Sequence, residues 1–140
     1  MIWDLIALLS SGLFAGAAIY INLVEHPARL QCGTEIAVTE FGPSYHLAAV
    51  MQVLLVVTGS LGGVATWLNG GGAAWLVGVL VLASAVPFTL NVIMPINKQL
   101  LDPALDKRSA RAGELLAQWA RLHAVRSALG CTAFLIFACS

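Results

Sequence analysis

Four apolar stretches run along the chain, at residues 2–24, 45–68, 73–94 and 115–139, each set off by a polar interval. A helix needs roughly 20 mostly apolar residues to cross a hydrocarbon core of about 30 Å, and every stretch meets that length. The first ends at His26-Pro27, where proline restricts the backbone of the residue before it. Asn69-Gly70-Gly71-Gly72 makes a short turn between the second and third stretches. Residues 33–44 and 101–113 form two longer polar connections. The pattern predicts an all-α, integral membrane four-helix bundle occupying residues 1–140 as a single domain, with no linker or low-complexity tract.

Composition strengthens that reading. Hydrophobic residues make up 59% of the chain and charged residues 10%, and the mean hydropathy is +0.87. Soluble domains carry roughly 25% charged residues, and a small domain exposes too much surface to manage with so few. The expected location is the cell membrane, as a multi-pass protein in contact with the lipid bilayer. The formal net charge is zero, so no broad basic field exists to attract nucleic acid. Cys32, Cys131 and Cys139 are odd in number and lack CxxC spacing, which disfavours electron transfer through a disulfide. The N-terminal stretch has no basic n-region, carries Asp4, and is too long for a signal h-region, so it reads as a retained helix.

Charge also orients the chain. Lys98, Lys107, Arg108 and Arg111 lie between the third and fourth stretches and Arg29 follows the first, which marks that end as cytoplasmic. Both termini are then expected on the outer side, with Trp3, Trp67 and Trp75 as an interfacial belt. Gly12 with Gly16, and Gly59 with Gly63, form GxxxG pairs suited either to internal packing or to a homo-oligomer.

The polar side chains gather at the cytoplasmic end. Asn22, Glu25 and His26 close the first stretch and Tyr45 and His46 open the second. Asn91 and Asn97 bracket Pro95, and Trp119, His123 and Arg126 open the fourth. The last three stand at i, i+4 and i+7, one stripe of a helix that Gly130 continues. Tyr45, Gln52, Gly59 and Thr66 share a face, which directs Gln52 toward the same chamber. Pro87 and Pro95 are expected to bend the third helix and free carbonyls near Asn91. Arg29 and Arg121 read as snorkelling or headgroup contacts.

The stretch PFTLNVIMPINKQL followed by LLAQWARLHAVRSALG resembles the DUF1772 family of small four-span membrane proteins, which includes the anthrone oxygenases. The matching positions are Pro87, Thr89, Pro95, Asn97 and Leu100, then Trp119, His123 and Arg126, with Gly16, Asn22, Pro27 and Ala28 in the first span. His26 and His46 match no motif of that family. The resemblance implies oxygenation of an anthrone, or a related small lipophilic polyketide-like molecule, with molecular oxygen as co-substrate and no metal or flavin. Loss of a proton makes the anthrone an electron-rich anion that reacts with oxygen and then loses water. His123 is the candidate base. Arg126, Asn91 and Asn97 are the candidates for holding the oxyanion. Tyr45 and Trp119 would clamp the aromatic plane, with Gln52 and Asn22 completing the substrate contacts.

Two other readings stay open. A metal-dependent membrane oxidoreductase would use His26, His46, His123 and Glu25, although no HxxxH or HxH spacing supports it. A non-enzymatic binding or structural protein, or a small transporter, would need no base; against transport, the mid-span region offers only Gln52, Thr58, Ser60, Ser84 and Thr89.

Overall fold

Each apolar stretch lies inside a helix longer than the stretch itself, apart from Cys139 just past the end of the last. In the computed structural model, which describes residues 2–140, the helices are α1 (Ile2–Gln31), α2 (Thr34–Leu68), α3 (Ala73–Leu100) and α4 (Ala110–Ala138). The interval 33–44, read as a polar connection, is helical from Thr34 onward with Pro43 inside it. Its buried positions Ala37, Val38 and Phe41 explain why: they make one apolar face, packed with Ala112, Leu115 and Leu116 of α4. Gly33 supplies the tight α1–α2 turn with φ of +93°, and Gly70 the α2–α3 turn with φ of +99°. Ser109 caps α4 by accepting a hydrogen bond from the Ala112 amide.

Two of the helices widen midway. α1 passes through a π-turn at Ile21–Glu25 and α3 through another at Thr89–Ile93. Each turn ends two residues before a proline, Pro27 or Pro95, whose missing N–H would have left an i→i−4 carbonyl without its donor. The expected disturbance of the third helix is therefore present as a local widening, and α1 repeats it.

The helices run up, down, up, down. α1 packs against α2 and α4, and α3 against the same two, so α2 and α4 face each other across the bundle. Two buried layers fill the interior. One joins Phe41, Ile93, Ile96, Leu100, Leu115, Leu116 and Trp119, and the other joins Phe14, Val56, Trp75, Leu82 and Phe137. Trp75 is thus stacked on Phe137 at 5.2 Å and buried, not part of a belt, whereas Trp3 and Trp67 are exposed. Of the GxxxG glycines, Gly59 and Gly63 are consumed inside the bundle, against Ser10 and Leu82 and against Val79 and Phe137.

Large apolar side chains face outward on the first three helices, among them Leu9, Leu13, Leu23, Leu47, Leu54, Leu61, Leu80 and Leu90. Exposed apolar surface on that scale suits contact with lipid or with an apolar partner. Among the described residues, α1, α2 and α3 are long and apolar enough to cross a membrane, and α4 alone does not reach that standard. Arg121, His123, Arg126 and Ser127 lower its apolar character, and of these His123 and Ser127 are buried toward the other helices.

Candidate functional site

A narrow cleft opens inside the bundle, lined from α1 by Ile21 and Arg29, from α2 by Phe41, Tyr45 and Gln52, and from α3 by Asn97. α4 contributes Trp119, His123 and Arg126. Gln52 stands near the middle of α2, so the cleft lies deep within the helices and not at their end. The longer helices cause the difference, because Ala37, Leu100, Ala112, Leu115 and Leu116 form a buried apolar layer that continues past Trp119.

The π-turn of α1 carries Asn22. Its Nδ2 donates to the Ala120 carbonyl at 3.1 Å, which turns Oδ1 toward α4. There Oδ1 accepts from the Ser127 hydroxyl at 2.6 Å and from His123 Nδ1 at 2.8 Å. An amide oxygen can only accept, so His123 carries its proton on Nδ1 and presents Nε2 as a lone pair. The imidazole is 2% exposed and stacks on Trp119 with ring centroids 4.7 Å apart.

Trp119 in turn fixes Asn97. Its Nε1 donates to Asn97 Oδ1 at 2.9 Å, leaving Asn97 Nδ2 buried without an acceptor. Gln52 repeats the arrangement. Its Oε1 accepts from Arg126 Nη2 at 2.7 Å, and its Nε2 is left without an acceptor, as is Arg126 Nε. Each of these two amides has its oxygen engaged by a protein donor and its NH₂ to spare. The Arg126 guanidinium lies 5.5 Å from the Phe14 ring centroid and, among the described residues, makes no ion pair.

Arg29 is the opposite case. It is 6% exposed, with Nη2 at 2.5 Å from Glu25 and Nε at 2.6 Å from Glu40, and it also donates to Ser44 at 3.2 Å. Ser44 in turn donates to Glu25. The guanidinium stands 5.9 Å from the centroids of both Phe41 and Trp119. The snorkelling assignment fails for Arg29, since its carboxylate partners compensate the buried charge. Arg121 is exposed.

Other expected residues fall outside the cleft. Asn91 is exposed and donates to the Pro87 carbonyl at 2.8 Å, serving its own widened helix. His46 is exposed beside Tyr45, and Glu25 is engaged with Arg29 and Ser44, so His26, His46, His123 and Glu25 do not come together. Among the described residues no group of three or more His, Cys, Asp or Glu side chains is placed to hold a metal ion. His26 is buried against Trp119, ring centroids 5.2 Å apart, and neither of its nitrogens makes a well-formed hydrogen bond. Sequence reasoning missed Ser127, Phe41 and the Arg29–Glu25–Glu40 group. For Ser127, its place one turn beyond His123 was the available signal.

The sequence profile that describes anthrone oxygenase matches residues 41–136, which takes in most of α2, all of α3 and most of α4. The chain belongs to the anthrone oxygenase family. Among its relatives in that family is anthrone oxygenase tpcL of Aspergillus fumigatus, 28% identical over 131 residues that cover 86% of this chain and 81% of the fungal protein. No solved structure matches the chain. The family match takes in Tyr45, Gln52, Asn97, Trp119, His123 and Arg126, while Asn22 and Arg29 lie before it.

Proposed function

We propose that the protein is a membrane oxygenase of flat, lipophilic phenolic ketones of the anthrone type. The observation that carries the reading is the Arg126 guanidinium, whose one hydrogen bond among the described residues goes to an amide oxygen, beside unused N–H donors of Gln52 and Asn97. A partly buried cation without a counter-charge favours an anionic guest. The conjugate base of an anthrone supplies that charge on its oxygen.

His123 Nε2 takes a proton from the ring carbon opposite the ketone. Its own Nδ1–H, anchored on Asn22, is not transferred. The resulting enolate oxygen is held by Arg126 with Gln52 and Asn97, donors already fixed before the charge develops. Molecular oxygen then adds at the deprotonated carbon. One oxygen atom stays as the new carbonyl, and the other leaves in water with the two hydrogens of that carbon. The balance needs no further reductant, and the chain's groups serve only to make and hold the anion. Tyr45, stacked on Phe41 at 5.8 Å, is the aromatic wall for the substrate plane. Trp119, whose ring contacts His26, Phe41 and His123, acts as a positioning residue.

The membrane setting is part of the reading. From Leu122 to Ala138, roughly 25 Å at 1.5 Å per residue, the exposed residues of α4 are Ala124, Val125, Ala128, Thr132, Leu135 and Ala138, none of them charged. That outer face suits a fourth span. Both termini then lie outside, with the basic residues of the α3–α4 connection in the cytoplasm.

The test is conversion of anthrone to anthraquinone by purified protein in detergent under air, comparing the parent with His123→Ala. A loss of at least a hundredfold in kcat, with the helical spectrum unchanged, is expected. Equal activity of the two proteins would remove His123 as the base.

A further inference from the structure

A second space adjoins the cleft. It is a crevice between α2 and α3, lined by Val53, Val56, Ala85, Val86, Thr89, Leu90 and Met94 together with Tyr45, Ala49, Gln52 and Arg126. The last four also line the inner cleft, so the two spaces share one wall. The crevice passes from outside to inside: Leu90 is 58% and Val53 48% exposed at its lip, while Gln52 at 2% and Ala85 at 1% form its floor.

We infer that this crevice is a side entrance from the bilayer, admitting a flat, uncharged polycyclic molecule to the cleft between Tyr45 and Arg126. The inference rests on the proposed function for the nature of the guest. Apolar side chains cover two other approaches. The layer of Leu100, Leu115 and Leu116 covers the cleft toward the polar loops, and Phe14, Leu82 and Phe137 fill the far side. The α3 π-turn at Thr89–Ile93 borders the crevice and holds this stretch of the seam in a wider coil. The Tyr45 hydroxyl donates to Met94 Sδ at 3.8 Å, a weak contact from α2 to α3 that a side-chain rotation breaks. Its apolar lip suits a guest already dissolved in lipid.

The test uses covalent labelling, independent of turnover. Cys32, Cys131 and Cys139 are first changed to Ala, and Ala49→Cys then puts a single thiol on the shared wall. In phosphatidylcholine vesicles the protein is treated with N-pyrenylmaleimide, a flat polycycle that enters the bilayer, or with a sulfonated maleimide confined to water. Labelling by the pyrenyl reagent is expected to be at least tenfold faster. Adding Leu90→Trp at the lipid-facing lip should slow it at least tenfold, while Leu90→Ala should not. Comparable labelling by the sulfonated reagent, labelling by neither, or indifference to Leu90→Trp would overturn the entrance. A protein that labels as expected but leaves anthrone unconverted refutes the oxygenase reading and leaves the entrance standing.

Discussion

Asn22 Oδ1 accepts hydrogen bonds from His123 Nδ1 at 2.8 Å and from Ser127 at 2.6 Å, joining α1 to α4 at the cleft. Replacing Asn22 by Leu removes the acceptor that sets the imidazole tautomer. The expected result is a fall of roughly 10²-fold in kcat, within the range attributed to a positioned base, with KM little changed. Asn22→Asp, which keeps an acceptor at that position, should recover more of the activity than Leu. Steady-state kinetics on the three proteins separates the outcomes.

Trp119 and Asn97 support a prediction about stability. Trp119→Phe keeps an aromatic ring against His123 but deletes the donor to Asn97 Oδ1, which is buried. Leaving that oxygen unsatisfied costs about 1–3 kcal/mol. Thermal unfolding in detergent should show the loss, and a double variant with Asn97→Leu should lose less than the sum of the two single changes.

Gly130 distinguishes a packed glycine from an open one. A Cβ at this position would stand 2.7 Å from Phe14 Cδ1, whereas one at Gly16 meets nothing within 4 Å. Gly130→Val is expected to destabilise by about 1–3 kcal/mol. Gly16→Ala should stay within about 0.5 kcal/mol of the parent. Similar unfolding temperatures for both variants would contradict the packing described.

Arg29 gives a charge-balance prediction. Arg29→Met strands Glu25 and Glu40, whose side chains are 28% and 43% exposed. Their partial hydration keeps the cost below the roughly 3–5 kcal/mol of breaking a fully buried pair. Adding Glu40→Gln to Arg29→Met should restore part of the lost stability in the same melting experiment.

The helices and much of the cleft were legible in the sequence because both rest on local periodicity. The i, i+4, i+7 stripe of Trp119, His123 and Arg126 placed three groups on one inward face, and the structure keeps them together. The extent of α2 was not legible, since polarity between Thr34 and Ser44 hides an apolar face that only α4 reveals. Asn91 was misjudged because the π-turn changes the helical phase around it, and its amide turns back to the Pro87 carbonyl. Arg29 was misread for a different reason: its carboxylate partner Glu40 reaches it from another helix, a pairing that no spacing rule encodes.

The central claim is that Arg126, with Gln52 and Asn97, favours the anionic form of the guest. It is tested most directly by the absorption spectrum of anthrone bound to the purified protein under argon, where no oxygenation can follow. At neutral pH the parent protein should bind anthrone with the long-wavelength band of its conjugate base, and Arg126→Gln should bind it as the neutral ketone. Bound anthrone that stays neutral in the parent, or an anion band untouched by Arg126→Gln, would contradict the account.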